Sequence, residues 1–398
     1  MYSSIINKIP EALSIYFNQL VYDQKEKGVD VITLSLGEAY FDIPLYNFNK
    51  LNLEKCHHYS DSRGNYKLRE IISNYYNSNY GAYVNPKNEI LISAGSKPLI
   101  YMALLTILNK DEEVLVIEPA WLSYSEQIKL AGGKVKYVNY NKSVNEIIEL
   151  VSKKTKAIIV NNPNNPAGKH YSISELKKLI SIAKKKNLWL IVDEAYSDFV
   201  EKKFYSSFKL VKDFSNIIVI NSLSKNFGIS GWRIGYAISN PEFIQKLLKL
   251  NQHLITCAPS ILMNYLEIYF DDLIKITKPQ IKKLISKRSK IKKLLTHSKL
   301  SFLGGDSTFY FFIRLDSYNG DVINFCLYLL LKYNIAVVPG QAYGKSTKKF
   351  IRMSIGTETE ERIHDAIKII VSLSRRKIDN KELHRLLKIN NIKMFSYK

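Results

Sequence analysis

Short apolar runs alternate with amphipathic segments between about residues 89 and 238. The runs are rich in isoleucine, leucine and valine and read "EILIS", "EEVLVIE", "KVKYV", "KAIIV", "LWLIV", "NIIVI" and "RIGYAI". Segments such as "SKPLIYMALLTIL" and "SYSEQIKLAGG" are typical of helices, and Ser172 with Glu175 forms a capping box that starts another helix. Continuous apolar strands separated by helices predict a sheet buried on both faces. We therefore predict an α/β fold whose large domain has a mostly parallel sheet covered by helices on both faces.

The pattern changes after about residue 275, where long basic helices and the short runs "STFYFFIRL", "IAVVPG" and "FIRMSIG" follow. These elements predict a second, smaller α+β domain, which the N-terminal residues join. The predicted organisation is an N-terminal arm with part of the small domain (1–40), a large cofactor-binding domain (41–275), a small C-terminal domain (276–377) and a basic C-terminal extension (378–398). We expect the extension to form a basic surface helix.

The 398 residues carry a formal net charge of +22, which is high for an otherwise ordinary globular composition. Such a balance fits nucleic acid, an acidic membrane surface or anionic small molecules as partners. The lysines, however, are spread along helix patterns such as "ELKKLISIAKKKN", with isoleucine and leucine on the opposite face. Most of the charge is therefore a solvated helix surface, and we predict that the protein binds no nucleic acid.

Cys56, Cys257 and Cys326 lie far apart in the sequence without a CxxC pair. Neither a disulfide framework nor a zinc site is indicated, and we expect no metal. The N-terminal stretch lacks the apolar region of a signal peptide, and no segment approaches the roughly 18 apolar residues of a membrane-spanning helix. These features predict a cytoplasmic protein without a membrane partner.

The candidate chemistry lies just after the predicted strands, because ligands of such sheets bind beyond the carboxyl ends of the strands. Lys225, in "NSLSK", follows one strand among polar neighbours. Desolvation and nearby cations there lower an ammonium pKa and free the amine for imine formation. Taken alone, a lysine in this lysine-rich chain is more often a surface charge. Ser222, Ser224 and Arg233 beside it supply two hydroxyls and a planar fork that suit a phosphate monoester.

A second strand end contributes to the same predicted phosphate site. Ser96 and Lys97 open the helical segment "SKPLIYMALL", whose free N–H groups and dipole favour an anion. Single serines at these positions also fit ordinary helix capping. The combination with Arg233 favours an anion-binding cup.

Asp193 ends the run "LWLIV", where a bare carboxylate requires a cationic partner. A protonated ring nitrogen is such a partner, and Asn165 and Tyr196 are suited to donate hydrogen bonds to an oxygen on the same ring. Trp121 supplies a flat face for stacking. A salt bridge within the protein for Asp193 and a core position for Trp121 are the simpler alternatives. Together with the lysine and the phosphate cup, the set meets the requirements of pyridoxal 5'-phosphate (PLP).

The motifs "NNPAG" (164–168), "DEAY" (193–196) and "SLSKNFGISGWRIG" (222–235) occur in the order and spacing of a known family. The chain resembles the class I/II PLP-dependent aminotransferases, which are aspartate-aminotransferase-like enzymes of fold type I. The resemblance extends from "GVDVITLSLGEAYFDIP" (28–44) to "FIRMSIGTETE" (350–360). It implies a PLP cofactor and a homodimer with shared active sites.

The resemblance implies a role for each matching residue. Lys225 would hold the cofactor as an internal aldimine (a Schiff base) and would then move a proton between the substrate α-carbon and the cofactor. Asp193 would keep the pyridine nitrogen protonated, Asn165 and Tyr196 would hold the ring oxygen, and Trp121 would stack on the ring. The implied phosphate-binding residues are Ser96, Lys97 through its backbone, Ser222, Ser224, Arg233 and Tyr59, the last reaching the phosphate of the neighbouring subunit.

The same likeness implies residues that bind the substrate. Arg352, in "FIRMSIG", would grip the substrate α-carboxylate through a bidentate pair. Gly37 would bring its backbone close to that carboxylate, which a Cβ would obstruct. Asn165 and Trp121 would also border the substrate, and Tyr343 falls where a pocket aromatic is common.

Two departures from the family pattern leave the substrate open. Ala39 and Tyr40 replace a proline and an aspartate in the loop near the substrate entrance. "GGDSTFYFF" (304–312) stands where the family often has a proline and "GAFY". Both segments are expected near the pocket for the substrate side chain.

The predicted function is transfer of an amino group from an L-amino acid to a 2-oxo acid by a ping-pong mechanism, within amino acid metabolism or biosynthesis. A β-lyase, a cyclase or an ACC-synthase-like enzyme on the same scaffold, for example in natural-product biosynthesis, is the alternative, because it would use the same cofactor residues. A third hypothesis is a cofactor-binding regulator that binds nucleic acid. Regulators of this fold carry an added N-terminal helix-turn-helix domain, which we do not expect here.

Overall fold

The computed structural model of the chain describes residues 2–211 and 215–393. The last five residues of the predicted C-terminal extension lie outside the described residues. The strands are β1 Ile32–Thr33, β2 Ile90–Ser93, β3 Glu113–Ile117, β4 Lys134–Val138, β5 Thr155–Asn161, β6 Trp189–Asp193, β7 Ile217–Ser222, β8 Gly235–Ser239, β9 Ser301–Phe302, β10 Tyr310–Arg314, β11 Ile335–Ala336, β12 Val338–Pro339 and β13 Phe350–Ser354. The α-helices are α1 Leu13–Glu26, α2 Leu53–Cys56, α3 Tyr66–Tyr75, α4 Ser96–Ile107, α5 Ser123–Leu130, α6 Val144–Ile147, α7 Ile173–Lys185, α8 Leu223–Asn226, α9 Pro241–Leu254, α10 Ser260–His297, α11 Val322–Tyr333, α12 Glu360–Ser374 and α13 Asn380–Ile389.

The central sheet has the strand order β2-β8-β7-β6-β5-β3-β4. Each of its strands corresponds to one of the apolar runs predicted from the sequence. Strands β7, β6, β5, β3 and β4 are mutually parallel, whereas β8 runs antiparallel to both of its neighbours. The prediction of an α/β fold with a mostly parallel sheet is therefore confirmed. The carboxyl ends of the parallel strands share one edge of the sheet, which is where ligands of such folds bind.

Alternate residues of each strand are buried on opposite faces of the sheet. On β6, Leu190 and Val192 belong to a cluster with α3, α7 and the first half of α10, while Ile191 packs in a second cluster with α4, α5 and α9. Burying one such side chain stabilises the fold by roughly 1.5–3 kcal/mol. Because the side chains alternate, the same strands pack against the helices on both faces of the sheet. Helix α7 begins at the predicted capping box, in which the Ser172 and Glu175 side chains each bind the other's backbone.

A second region is built on the four-stranded antiparallel sheet β12-β13-β10-β9 and the parallel pair β1-β11. Its core includes α1, α11, α12 and the second half of α10. Helix α10, with 38 residues, joins the two regions, because Leu273 is buried in the large-sheet core and Ile281 in the smaller one. No helix among the described residues combines the length and the apolar character needed to cross a membrane.

The described part of the C-terminal extension forms α13, which packs into the smaller core. Leu383 and Leu387 are buried there, while the basic residues of the helix face outward. Glu382 accepts a hydrogen bond from Lys332 on α11 (2.8 Å), and Asn390 accepts one from Gln24 on α1 (2.9 Å). The extension is therefore a surface helix that is fastened to α11 and α1.

Replacing Leu383 with alanine should lower the free energy of unfolding by about 2–5 kcal/mol, because it removes buried methyl groups and leaves a cavity. Arg385→Ala, at an exposed position of the same helix, is the matched control and should stay within about 0.5 kcal/mol of the unchanged protein. Denaturant unfolding monitored by circular dichroism measures both. Equal stability of the two variants would contradict the packing of α13.

Candidate active site

Asp193, the last residue of β6, is a buried carboxylate at the ligand-binding edge of the sheet. Its Oδ2 accepts a hydrogen bond from the Tyr124 hydroxyl (2.6 Å), and its Oδ1 accepts one from the Ala195 backbone N–H (3.0 Å). Burial raises the pKa of Asp193, whereas these two donors and the positive charge of Lys225 lower it. The carboxylate is thus prepared to receive a further cationic donor.

Lys225 lies in α8, directly after the neighbouring strand β7. Its Nζ donates a hydrogen bond to the backbone oxygen of Gly37 (2.6 Å). Burial lowers the pKa of Lys225 to about 8, and Glu38 and Asp193 oppose this shift while Arg352 lowers the pKa further. A lysine with such a pKa has a larger neutral fraction near neutral pH than an ordinary lysine, and the neutral amine is the form that makes an imine.

Asn165 and Tyr196 meet close to the end of β5. Nδ2 of Asn165 donates to the Tyr196 hydroxyl (3.3 Å), and the backbone N–H of Asn165 donates to Oδ1 of Asn161 (2.6 Å). The Tyr196 hydroxyl also lies 2.9 Å from the hydroxyl of Tyr310, on β10. Both regions of the fold therefore contribute to one polar cluster.

Arg352, on β13, is only 3% exposed. Its Nη2 donates to the backbone oxygen of Ser35 (2.5 Å), and its Nη1 lies 3.4 Å from Oδ1 of Asn165. The guanidinium faces the rings of Tyr310 and Tyr343 at 4.7 and 5.2 Å. Its buried Nε has no hydrogen-bond partner among the described residues, as expected of a fork prepared for an anion.

Gly37 leaves space beside this guanidinium. A Cβ at Gly37 would lie 3.2 Å from the Tyr310 hydroxyl and 3.8 Å from Nη1 of Arg352. The absence of a side chain therefore keeps the approach to Arg352 open. The structure brings the predicted substrate residues Gly37, Arg352 and Tyr343 together with Asn165.

The predicted phosphate residues, with the exception of Tyr59, lie around the start of α4. Gly95, at φ +94°, caps this helix, and a Cβ there would lie 2.5 Å from Nη2 of Arg233. A Cβ at Gly235 would lie 2.4 Å from the Ser96 backbone nitrogen, so two glycines permit the close approach. The Ser222 hydroxyl donates to the Ser224 hydroxyl (2.8 Å). Helix N–H groups, hydroxyls and a guanidinium together form a cup that suits a phosphate.

Trp121 lies half-buried after β3, beside the same helix start. Nζ of Lys97 is 5.2 Å from the Trp121 ring, and Tyr124 packs edge-on against that ring at 5.3 Å. The Lys97 backbone thus belongs to the helix start, while its side chain lies over the aromatic face. A contact between Tyr124 and both Trp121 and Asp193 links the aromatic face to the carboxylate.

Tyr59 stands apart from the other predicted site residues. Its side chain is 85% exposed, in the segment after α2. The preceding residue, His58, accepts a hydrogen bond from Ser260 at the start of α10 (3.0 Å). Tyr59 thus lies on the surface near the start of α10, and its role toward a neighbouring subunit stays a prediction.

Three residues without a role predicted from the sequence lie in the site. Tyr124 donates to Asp193, Tyr310 contacts Tyr196, and the Glu38 carboxylate accepts from Ser230. Tyr124 follows Trp121 by three positions, but no local signal indicates its bond to Asp193, which lies 69 positions further along the chain. Glu38 lies in the segment 28–44 that carries the family resemblance, and Tyr310 lies in the segment 304–312, but neither residue had a predicted role.

A comparison with known proteins defines the class. The chain belongs to the family of class I and II aminotransferases, whose model matches residues 29–370. It is 31% identical to the aspartate aminotransferase of Thermotoga maritima over 377 residues, covering 90% of this chain and 96% of that one. It is 30% identical to an aromatic-amino-acid aminotransferase of Thermococcus litoralis, covering 84% of this chain and 90% of that one.

Solved structures support the same assignment. The crystal structure of the Thermotoga maritima aspartate aminotransferase superposes with a TM-score of 0.81 at 29% identity, covering 94% of this chain and all of that one. The aromatic aminotransferase of Pyrococcus horikoshii superposes with a TM-score of 0.80 at 28% identity, covering 93% and 99% of the two chains. The chain is therefore an aminotransferase of fold type I. This family uses PLP, and the amine, buried carboxylate and phosphate cup described above fit that cofactor.

The lowered pKa of Lys225 predicts how its amine reacts in the cofactor-free protein. Only the neutral amine is acylated, so the labelling rate should rise with pH through a midpoint of about 8. Competitive acetylation followed by peptide mass spectrometry measures this midpoint against a free lysine derivative, for which about 10.4 is expected. A midpoint near the free value would contradict the burial of Lys225.

Proposed function

We propose that the protein is a PLP-dependent aminotransferase that moves the amino group of an L-amino acid to a 2-oxo acid by a ping-pong mechanism. One observation carries this proposal. The segment 35–37 accepts a hydrogen bond from the Lys225 amine at Gly37 and another from the Arg352 guanidinium at Ser35. An imine-forming amine and a carboxylate-binding fork are thus held beside one short segment. An α-amino acid presents an amine and a carboxylate, which are the two groups that Lys225 with its cofactor and Arg352 would take.

Lys225 is proposed to hold PLP through an imine at its Nζ. When bound, the cofactor supplies an electron sink for the charge that develops on the substrate α-carbon. Asp193 keeps the ring nitrogen protonated, because its buried carboxylate is stabilised by a cationic partner. Asn165 and Tyr196 donate to the ring oxygen, and Trp121 packs against the ring.

The phosphate would occupy the cup at the start of α4. The proposed contacts are the N–H groups of Ser96 and Lys97, the hydroxyls of Ser222 and Ser224, the guanidinium of Arg233 and, from the neighbouring subunit, the hydroxyl of Tyr59. Lys225 would supply the amine that binds the other end of the cofactor. The Lys225 amine would also be the base that takes the proton from the substrate α-carbon, and its lowered pKa suits this role.

We propose that the molecule is a homodimer. Exposed apolar side chains occur on two segments that lie side by side, since Tyr46 stacks on Tyr269 at 4.7 Å. These side chains are Tyr40, Leu45, Tyr59, Tyr66, Ile261 and Ile268. A second copy of the chain would bury them and bring Tyr59 to the partner's phosphate cup. Sedimentation equilibrium should then give twice the chain mass of 45.9 kDa. A mass of one chain would contradict the proposal of shared sites.

The three free cysteines are compatible with the proposed cytoplasmic location.

The names of the relatives do not agree on one substrate. Aspartate, aromatic amino acids and (5-formylfuran-3-yl)methyl phosphate each appear among them. Near the proposed cofactor, Lys97 and Trp121 offer a cation and an aromatic face to a substrate side chain. We therefore propose aspartate and the aromatic amino acids as the first donors to examine, within a panel of all twenty.

The test of the proposed function separates the two half reactions. The holoenzyme absorbance should change on adding a donor amino acid alone and should return on adding a 2-oxo acid, with parallel double-reciprocal plots in steady state. Release of pyruvate, ammonia or a cyclised product without a 2-oxo acid would instead indicate the elimination or cyclisation alternative. An absorbance that responds to none of the twenty donors would contradict transamination.

Arg352→Ala should lower kcat/KM for the amino donor by about 10- to 1000-fold, corresponding to roughly 1.5–4 kcal/mol for a lost charge-assisted pair. Arg352→Lys keeps the charge but not the planar fork, so it should recover only part of the loss. Steady-state kinetics measures both, and the absorbance of bound cofactor checks that the site is otherwise intact. Full activity of Arg352→Ala would show that the carboxylate binds elsewhere.

A further inference from the structure

Two tyrosine hydroxyls meet inside the site. The oxygen atoms of Tyr196 and Tyr310 are 2.9 Å apart, and their rings pack edge to face at 5.6 Å. The side chains are 5% and 0% exposed. Burial raises the pKa of both hydroxyls, so each carries its proton at neutral pH. Only one of the two can donate in the shared hydrogen bond.

The surroundings of the pair select the donor. The Tyr196 oxygen already accepts a hydrogen bond from Nδ2 of Asn165 (3.3 Å). A hydroxyl oxygen can accept one further hydrogen bond. The Tyr310 ring lies 4.7 Å from the Arg352 guanidinium, which offers only donors and carries a positive charge. A proton on Tyr310 is therefore favoured on the side away from Arg352, toward Tyr196. Tyr196 then keeps its own proton for a third partner.

The backbone of Tyr310 is fixed by a buried arginine. Arg288, on α10, donates from Nη2 to the Tyr310 backbone oxygen (3.0 Å) and from Nε to the Ser307 backbone oxygen (3.0 Å). On the other side, Gly37 leaves just enough room for the hydroxyl. These contacts hold the backbone of Tyr310, whose hydroxyl lies beside that of Tyr196.

We propose that Tyr310 is a positioning residue, which donates to Tyr196 and thereby directs the Tyr196 proton toward the ring oxygen of PLP. This assignment rests on the proposed function. A donor that itself accepts a hydrogen bond is strengthened, so Tyr310 makes Tyr196 the better donor. Donation to the ring oxygen stabilises its negative charge, which is largest when the imine nitrogen at Lys225 has lost its proton. Tyr310 therefore lowers the pKa of the imine through Tyr196.

The experiment is a double-mutant cycle on the holoenzyme, with the imine pKa followed by absorbance against pH. Tyr310→Phe should raise that pKa by roughly 0.4–1 unit, the equivalent of one hydrogen bond. Tyr196→Phe should raise it by more. Adding Tyr310→Phe to Tyr196→Phe should then change nothing, because the residue through which Tyr310 acts is gone.

Tyr318→Phe is the matched control, since it removes a hydroxyl from a buried tyrosine of the smaller core, where that hydroxyl donates to the Asp321 backbone oxygen (3.4 Å), and it should leave the imine pKa in place. Retention of cofactor and an unchanged melting temperature exclude misfolding of each variant. An unchanged pKa in Tyr310→Phe, or an equal rise in both backgrounds, overturns the proposal while leaving the proposed function intact. Absence of any imine absorbance in the unsubstituted protein would overturn the proposed function, and this assignment with it.

Discussion

The site depends on burying an amine and a carboxylate at the ends of two adjacent parallel strands. Asp193 ends β6 and Lys225 follows β7, and both groups titrate away from their ordinary pKa values because burial disfavours their charged forms. Helices cover both faces of the sheet, so the shared edge is where these polar groups can still meet a ligand. The fold tolerates them there because Tyr124, Ala195 and Gly37 supply hydrogen bonds. A cofactor that offers an aldehyde and a protonated ring nitrogen would satisfy both groups at once.

The smaller region completes the site by a chain of contacts that begins at the C-terminal extension. Asn390 accepts from Gln24 on α1, and Asn18 on the same helix accepts from the Ser35 hydroxyl (2.8 Å). The backbone oxygen of Ser35 in turn accepts from Arg352. The extension, which follows the part of the chain matched by the family model, thus contacts α1, and α1 contacts Ser35.

Local patterns in the sequence predicted the strands and helices. The strand order and the hydrogen bonds between distant residues depend on long-range contacts, which the sequence does not show. The apolar runs and the Ser172 capping box depend on neighbours in the chain, so strands and the start of α7 could be predicted. The strand order and the reversal of β8 depend on which strands pair across the whole sheet. The hydrogen bonds of Tyr124 to Asp193 and of Tyr310 to Tyr196 join residues 69 and 114 positions apart, so no local pattern marked them. The role of Tyr59 involves a second chain and stays a prediction.

The central claim is a covalent one, and reduction with borohydride tests it most directly. Protein saturated with PLP would be reduced, digested and mapped by peptide mass spectrometry, with a sample reduced without PLP as the control. The account predicts a pyridoxyl group on the peptide that contains Lys225 and loss of that label in Lys225→Ala. An unmodified Lys225 in cofactor-saturated protein, or a label on another lysine, would contradict the account.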